Sequence, residues 1–356
     1  MQKEEILKSL IHENHFVIYH MPGTKVIRII SSSLLKVTDW NELTVCSKGF
    51  IFAPFYIDDF PTYILTDSKS WEVPYVEAVQ STSCGESSSS PDPSYQSTFK
   101  KFHDKVSSGD FSKLVLARTK DITTDVNPID LFWNTCQLYP NAMVYLFQSK
   151  EAGTWLGATP ELLLEGDAVQ MHTVALAGTM KCENGSIPKL SDWSEKNKKE
   201  QQIVTDYIRE CIRSYGELKD EWGPYSCKAA DLAHLKTDLY FRLDPEKMPD
   251  LLSLLHPTPA VCGLPKQKAL QFIKETEPDK RSYYAGFLGW YEPYGKTQLY
   301  VNLRCLTWKQ PSQIQLFAGG GILHSSSIEN EWKETEIKMQ TLLQSIQNIN
   351  PHIQLL

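Results

Sequence analysis

The stretch "LFAGGGILHSSSIENEWKETEIK", Leu316–Lys338, joins three consecutive glycines to a segment rich in glutamate. The glycines at 319–321 leave backbone N–H groups uncovered, which is typical of a loop that holds an anion. The helix that we predict over 328–347 brings glutamates that should repel an anion. The stretch therefore raises the question of which ligand needs both an anion-binding backbone segment and a cluster of carboxylates.

The composition is that of a globular protein whose overall charge does not favour polyanions. Of its 356 residues, 41% are hydrophobic and 22% are charged, which leaves ample core for one large domain or two ordinary ones. The formal net charge is −7 and no basic block stands out, so we expect no nucleic-acid partner. Any anionic ligand must be held by local positive charge against the field of the whole protein.

Targeting and cysteine signals favour a cytoplasmic location. No stretch approaches about 18 uninterrupted apolar residues, so we expect no membrane span. The N-terminal "MQKEEILKSL" lacks the apolar run of a secretory signal. The eight cysteines are scattered singly without a CxxC pair. This pattern indicates free thiols in a reducing compartment, and neither a zinc site nor a disulfide framework.

The order of predicted elements favours an α+β fold with large antiparallel β-sheets flanked by helices. Residues 14–66 alternate short apolar runs with turn residues, which indicates strands. Residues 80–94 are Ser/Pro-rich, which is typical of a mobile loop or linker. Later strands crowd together without regular βαβ alternation, and antiparallel sheets fit that best. Helices are predicted near 96–108, 129–138, 192–214, 246–255, 265–276 and 328–347.

The final helix carries two acids and a lysine on one face. Glu331, Glu334 and Lys338 stand at i, i+3 and i+7. Two acids at that spacing suit a hard cation such as Mg²⁺, with one acid ligating directly and the other through water. The alternative is a solvated stripe whose Glu–Lys pair contributes about 0.3–0.5 kcal/mol.

A second helix offers the other half of a magnesium site. In "SDWSEKNKKEQQIVTDYIRECIRSYG" an apolar stripe passes through Val204 and Ile208. One turn back the stripe reaches Glu200, with Asn197 a further turn back, and an acid aligned with a core-facing stripe is unusual. One carboxylate from each helix, Glu200 and Glu334, would hold the ion. The alternative is that the first turns of this helix are simply solvated.

Two further segments offer a base and an acid. In "SKLVLART", a predicted strand, Lys113 shares a face with Val115 and Ala117. Loss of solvation among apolar neighbours favours the neutral amine that a general base needs. In "TWLGATPELLLEG", Glu161 heads an apolar run, where desolvation would keep its carboxyl protonated as a general acid. The alternatives are a strand-end lysine that reaches water and an ordinary surface glutamate.

Smaller signals indicate a pocket for an anion. Ala177, Gly178 and Thr179 would let a ligand approach the backbone, although they also fit an ordinary turn. Arg304 in "YVNLRC" is predicted on a strand face, where its planar fork suits either a ligand carboxylate or a structural salt bridge. His234 fits a ligand contact or a satisfied core position. The proline-rich "LLHPTPAVCGLPK" would form a stiff pocket wall or a plain connection.

These segments, in this order, resemble the chorismate-utilising enzymes, a family that includes isochorismate, salicylate, anthranilate and aminodeoxychorismate synthases. The similarity covers residues 97–345, the expected catalytic core, whereas residues 1–96 look like the variable N-terminal part of the family. We therefore expect one chorismate-binding domain over 1–356. The motifs that carry the resemblance are "SKLVLART", "GATPELLLE", "ALAGT", "EQQIV", "LLHPTPAVCGLPK", "GFLGWYE", "NLRC", "LFAGGGI" and "EWKETEIK".

Within the family, the isochorismate synthases look closest, because of "HPTPAVCGLP" and the lysine of "SKLVLAR". The resemblance implies that Lys113 is the general base that activates water. It also implies that Glu161 is the general acid that protonates the departing 4-hydroxyl, and that Mg²⁺ is the cofactor.

Other roles carry over position by position. Glu200 and Glu334 match the magnesium ligands. Asn197 and Glu331 match positions that touch the metal's waters, although Asn197 replaces an acid often found there. Gln201 stands where many members carry a histidine. The positions that match substrate-binding residues are Arg304, Lys338, Gly320 and Gly321 for the carboxylates, and Ala177, Gly178, Thr179, His234, Ala260 and Val261 for the rest of the pocket.

The resemblance answers the opening question, because chorismate is a dianion. One carboxylate can sit on Mg²⁺ held by glutamates, and the other on glycine amides, Arg304 and Lys338. The implied reaction is the reversible, magnesium-dependent conversion of chorismate to isochorismate, which feeds menaquinone or catechol siderophore biosynthesis. We expect a monomer that needs no glutamine amidotransferase partner.

Other functions stay open. A salicylate synthase would add pyruvate elimination in the same pocket, with the same lysine and acid. Anthranilate synthases lack a lysine at the position of Lys113, and aminodeoxychorismate synthases often carry a nucleophilic lysine where this chain has Ala177. Both of those reactions also need ammonia. A non-catalytic anion-binding protein would use the glycines without the chemistry.

Overall fold

The fold consists of two large β-sheets with helices packed on them. The computed structural model describes residues 10, 13–39, 42–43, 47–75, 90–182, 186–229, 232–351 and 353–355. Throughout these residues the paired strands run antiparallel. The predicted α+β fold with large antiparallel sheets is therefore confirmed.

The strands divide between a ten-stranded and a nine-stranded sheet in the described part of the chain. The first sheet has the order β14 (Gly263–Leu264), β7 (Lys113–Thr123), β18 (Gln313–Ile322), β17 (Cys305–Gln310), β9 (Gly153–Thr159), β8 (Met143–Ser149), β1 (Phe16–His20), β2 (Val26–Ser31) and β6 (Ser70–Pro74), and β19 (Gln354–Leu355) also pairs with β7. The second sheet has the order β12 (Gly216–Ala229), β13 (Leu232–Leu243), β11 (Met171–Lys181), β10 (Leu162–Gly166), β16 (Thr297–Val301), β15 (Phe287–Tyr291), β4 (Gly49–Ala53), β5 (Thr62–Leu65) and β3 (Leu34–Val37).

The helices lie close to where the sequence predicts them. They are α1 (Pro93–Ser107), α2 (Pro128–Leu138), α3 (Glu195–Tyr215), α4 (Met248–Leu255), α5 (Lys266–Thr276) and α6 (Ile328–Ile349). Helix α1 begins three residues earlier than predicted, because Asp92 caps it by accepting a hydrogen bond from Tyr95 N and because Pro93 suits the first turn. The predicted Ser/Pro-rich loop is thus wrong at Pro93 and Ser94, which are helical, and its residues 80–89 lie outside the described residues.

Two apolar clusters hold these layers together. The larger one contains strands of both sheets, and in it Phe52 stacks between Phe147 and Tyr283, with ring centroids 4.2 and 4.5 Å away. The smaller one joins the ten-stranded sheet to helices α2 and α6, which contribute Phe132 and Leu342 among others. Helix α3 instead packs on β11 and β13 of the other sheet. The two helices with the predicted acids therefore reach the site from different sheets.

None of the described helices is long and apolar enough to cross a membrane.

Candidate active site

One open cavity, of about 690 Å³ including the solvent at its mouth, is lined by most of the predicted site residues. Its walls come from β7 and β18 of the first sheet, β11 of the second, and helices α3 and α6. The predicted site residues that line it are Glu161, Ala177, Gly178, Glu200, His234, Ala260, Val261, Arg304, Gly321, Glu334 and Lys338. The other lining residues are Val115, Pro160, Leu176, Tyr284, Leu303, Phe317, Ala318 and Gly319.

The remaining predicted residues adjoin this cavity or belong to its walls. A Cβ atom built on Gly320 would lie 3.0 Å from Glu331 Oε2, and one on Gly178 would lie 3.1 Å from Asn197 Cβ. Glu331 and Asn197 therefore stand directly behind the small residues of the wall. Thr179 follows in β11, of which only the backbone is described at that position.

Lys113, the first residue of β7, is completely buried and forms an ion pair with Glu200 across 2.8 Å. The sequence prediction considered only its apolar neighbours. The structure adds a carboxylate as the direct partner of this amine. The amine and the acid from α3 thus meet at one corner of the cavity.

Glu161 lies between β9 and β10, with its side chain buried in the cavity wall. Burial raises the pKa of its carboxyl to about 7, although the nearby cations Lys113, Lys338 and Arg304 act to lower it. A carboxyl with this pKa is substantially protonated at neutral pH and can donate a proton.

The acids of α6 each face a lysine. Glu331 Oε1 lies 2.5 Å from Lys196 Nζ, and Glu334 Oε1 lies 2.7 Å from Lys338 Nζ. Burial raises the pKa of Glu331, and the neighbouring Glu334 carboxylate raises it further. Burial also acts to raise the pKa of Glu334, but the Lys338 ammonium outweighs it, so this pKa lies below its ordinary value. The carboxylate form is therefore favoured more strongly at Glu334 than at Glu331.

The oxygens at this end of the cavity suit a hard cation. As they stand, no three His, Cys, Asp or Glu side chains of the described residues are gathered closely enough to hold a metal. Glu331 Oε2 is buried and accepts no hydrogen bond within the described structure, so one carboxylate oxygen is left for a ligand. Glu200, Glu331 and Glu334 all carry carboxylate oxygens, the kind of ligand that Mg²⁺ prefers.

The glycines form part of a strand, so the predicted anion-binding loop is wrong in its local structure. Residues 319–321 belong to β18 and pair with β7. A Cβ on Gly319 would lie 2.9 Å from the Tyr284 hydroxyl oxygen, and one on Gly321 would collide with the Glu200 carboxylate. Glycine is required here because other groups approach the strand closely. The pairing of β17 with β18 ends at Leu316 in the described chain, so β17 does not cover the other edge of the glycine segment.

Arg304 lies in the connection between β16 and β17, and its predicted place on a strand face is wrong. Its φ is +48°, a left-handed conformation that costs a non-glycine residue about 1–3 kcal/mol. Its Nη1 donates to Thr341 Oγ1 at 3.1 Å, and burial lowers the pKa of the guanidinium. Nearby, Asn302 accepts from Ala285 N and donates its own N–H to Gly286 O, both at 2.8 Å. These bonds tie the Arg304 connection to the turn that precedes β15.

The aromatic wall of the cavity was not predicted from the sequence. Tyr284 stacks on Phe317, with ring centroids 5.4 Å apart and an interplanar angle of 16°. The aromatic and apolar residues of "YYAGFLGWYE" are typical of one continuous strand, but β15 begins only at Phe287. The small Ala-Gly pair after the tyrosines is the one signal that indicated a turn before the strand.

His234 is a neutral hydrogen-bonding group in the pocket. Burial, and then the charge of Arg304, lower its pKa to about 4. Its Nδ1 lies 2.9 Å from Gly178 O. Because a carbonyl oxygen only accepts, Nδ1 carries the hydrogen of the neutral ring and Nε2 presents a lone pair.

A buried ion pair fixes two walls of the cavity. Arg281 donates to Glu277 Oε1 at 2.6 Å and to Oε2 at 2.8 Å. Its guanidinium also donates to Val261 O at 2.6 Å and to Val115 O at 2.7 Å. Glu277 in turn accepts from Ala117 N at 2.7 Å. The pair therefore connects the strand that carries the candidate base to the proline-rich wall.

Replacing Arg281 with Met should lower the free energy of unfolding by about 3–5 kcal/mol, because it leaves a carboxylate buried without its partner. The matched control is Arg209→Met, which breaks the more exposed pair with Glu221 and should cost about 0–1 kcal/mol. Urea denaturation of the three proteins measures both values. Equal small losses in the two variants would show that the Arg281 pair does not hold the walls.

Comparison with known proteins gives the class of this molecule. A family model described as chorismate binding enzyme matches residues 65–347, and the chain therefore belongs to the chorismate-binding enzyme family. It is 34% identical over 240 residues to isochorismate synthase EntC of Escherichia coli K12, which covers 65% of this chain and 61% of that protein. It is 33% identical over 260 residues to the salicylate biosynthesis isochorismate synthase of Pseudomonas aeruginosa, which covers 70% of this chain and 54% of that protein.

Solved structures confirm the fold. The menaquinone-specific isochorismate synthase MenF of Escherichia coli superposes with a TM-score of 0.79 at 20% identity, over 95% of this chain and 90% of that chain. Anthranilate synthase component I of Streptococcus pneumoniae superposes with a TM-score of 0.65 at 19% identity, over 96% of this chain and 85% of that chain. The sequence matches to EntC and to the Pseudomonas aeruginosa relative span 61% and 54% of those proteins' own length.

Proposed function

We propose that this protein is an isochorismate synthase, which converts chorismate reversibly to isochorismate in a magnesium-dependent reaction. The observation that carries the proposal is the arrangement around one cavity of Lys113, Glu161 and acids from two helices, Glu200 and Glu334. The similarity to proteins named isochorismate synthase supports it.

The reaction needs one base and one acid. Lys113, as the neutral amine, accepts a proton from water, and the water oxygen bonds to C2 of the ring. The ring double bonds shift, the C4–O bond breaks, and Glu161 donates a proton to the departing hydroxyl. One water enters and one leaves, so substrate and product are isomers. The buried, protonated carboxyl of Glu161 suits the acid role.

The charges of chorismate require two kinds of partner. Glu200 and Glu334 would hold Mg²⁺, and Glu331 and Asn197 would contact its waters. When bound, Mg²⁺ neutralises the ring carboxylate and orients the ring. For the second carboxylate, the Arg304 guanidinium and the edge of the glycine segment left open by β17 provide donors. The glutamates and the glycines therefore serve the same dianion.

Product analysis tests the reaction. Chorismate incubated with the protein and MgCl₂, without ammonia or an amidotransferase, should yield isochorismate as the sole new peak by HPLC. Salicylate and pyruvate would instead assign a salicylate synthase. Chorismate binding without any product would assign a non-catalytic binding protein.

The pH dependence tests the acid. Because Glu161 must be protonated to act and its pKa is raised to about 7, kcat should fall as the pH rises through about 7. The profile is measured from pH 5.5 to 9 at saturating chorismate and Mg²⁺. A kcat that stays constant to pH 9 would contradict this role for Glu161.

We also propose a cytoplasmic monomer that acts without an amidotransferase. Its product would enter either menaquinone or catechol siderophore biosynthesis. Light scattering during size-exclusion chromatography tests the oligomeric state.

A further inference from the structure

Lys196 is a charged side chain at the site to which the proposed reaction gives no task. It lies in the first turn of α3, and its Nζ contacts Glu331 Oε1 at the start of α6. The pair therefore bridges the two helices that carry the proposed metal ligands. Of the three lysines that face the glutamates here, Lys113 and Lys338 already have roles in the proposed function.

The positive charge of the Lys196 ammonium offsets the negative charge of several neighbouring glutamates. Glu331, which is buried, and Glu334, which lines the cavity, are one helical turn apart, and carboxylates at this spacing repel each other. Lys196 interacts electrostatically with both of them and also with Glu200. It therefore acts on all three acids of the proposed metal site.

The two members of the pair differ in their freedom to move. The Glu331 side chain is 1% exposed and Lys196 is 22% exposed. A lysine stem of four methylenes at the rim of a site can carry its charge into water. The buried carboxylate has no such route, and its Oε2 remains without a hydrogen bond in the described structure.

We infer that Lys196 is an internal counter-ion, which occupies the acidic end of the cavity until a divalent cation binds and displaces it from Glu331. This inference rests on the proposed metal site. It implies that Lys196 keeps α3 and α6 together in the metal-free protein and weakens the binding of Mg²⁺. Competition for Glu331 and repulsion between the two cations both weaken the binding of Mg²⁺.

The test measures Mg²⁺ affinity and metal-free stability, neither of which requires turnover. MgCl₂ is titrated calorimetrically into EDTA-treated protein, with and without chorismate, for wild type, Lys196→Met and Lys196→Gln. The matched control is Lys198→Met on the same helix, since Lys198 pairs with Glu195, whose side chain is 90% exposed. We expect both Lys196 variants to bind Mg²⁺ at least about tenfold more tightly, as expected for removal of a nearby like charge. Without metal, the Tm of both Lys196 variants should be lower than that of wild type. On adding Mg²⁺, their Tm should increase by more than that of wild type. Lys198→Met should match wild type in both measurements.

The outcomes separate this inference from the proposed function. Unchanged or weaker Mg²⁺ binding in Lys196→Met and Lys196→Gln, with wild type binding and Glu334→Ala not binding, would overturn the counter-ion role and leave the metal site standing. An equal gain in Lys198→Met would also overturn it, because the effect would then be one of general surface charge. If wild type binds no Mg²⁺ even with chorismate, the proposed function fails and the inference fails with it.

Discussion

Lys113→Ala and Glu161→Gln should each lower kcat by about 10²–10⁴-fold, the range for loss of a positioned base or acid. Lys113 is the fully buried amine that pairs with Glu200 at the cavity. Glutamine retains the size of Glu161 but has no carboxyl proton to donate. Steady-state kinetics at saturating Mg²⁺ measure both effects.

The controls are a lysine from the same strand as Lys113 and a glutamate from the strand that follows Glu161, both away from the chemistry. Lys120→Ala changes a residue of β7 that pairs with Glu336 at 3.0 Å. Glu165→Gln changes a residue of β10 that faces His172 at 2.9 Å. Both should retain kcat within a few-fold of wild type. Near-normal turnover in Lys113→Ala or Glu161→Gln would remove that residue from the mechanism, provided that circular dichroism shows the variant to be folded.

Glu200→Ala and Glu334→Ala should abolish magnesium-dependent binding of chorismate, with a loss of Mg²⁺ affinity of at least about 100-fold. A removed direct ligand should cost at least as much as the 10–100-fold typical of residues that only support a ligand. Removing either carboxylate also leaves its lysine without the partner seen here, so that excess positive charge further repels the metal.

The matched control is Glu329→Ala, an exposed acid in the first turn of the same helix as Glu334. Calorimetric titration of MgCl₂ in the presence of chorismate should give the wild-type isotherm for this variant. Wild-type isotherms for both Glu200→Ala and Glu334→Ala would reject the metal site, and the chemistry of Lys113 and Glu161 would then need another source of positive charge.

Local sequence patterns were sufficient for features that depend on a single helix or strand. The alternation in "SKLVLART" identified β7 with Lys113 among apolar neighbours, and the apolar stripe of α3 identified Glu200 as a buried acid. The fold class followed from the crowding of strands. The catalytic and metal-binding roles came from the resemblance to a family, because no spacing within one element relates residues of distant segments.

Local sequence patterns gave wrong predictions where contacts with a neighbouring element determine the conformation of a segment. Three glycines predict a loop on their own, but Gly319–Gly321 form a strand because they pair with β7. They are glycines because Tyr284 and Glu200 approach too closely for a side chain. The pattern "YVNLRC" predicts a continuous strand, but hydrogen bonds from Asn302 hold a left-handed connection at Arg304.

The sequence alone determined the antiparallel α+β class, the helices with their acids, and the strand that carries the candidate base, because these depend on periodicities of 2 and 3.6 residues within a segment. Only the tertiary structure decided which lysine faces which glutamate: Lys113 with Glu200, Lys196 with Glu331, and Lys338 with Glu334. The first two pairs join segments that pack on different sheets, and distances between such segments are set by how the layers pack together.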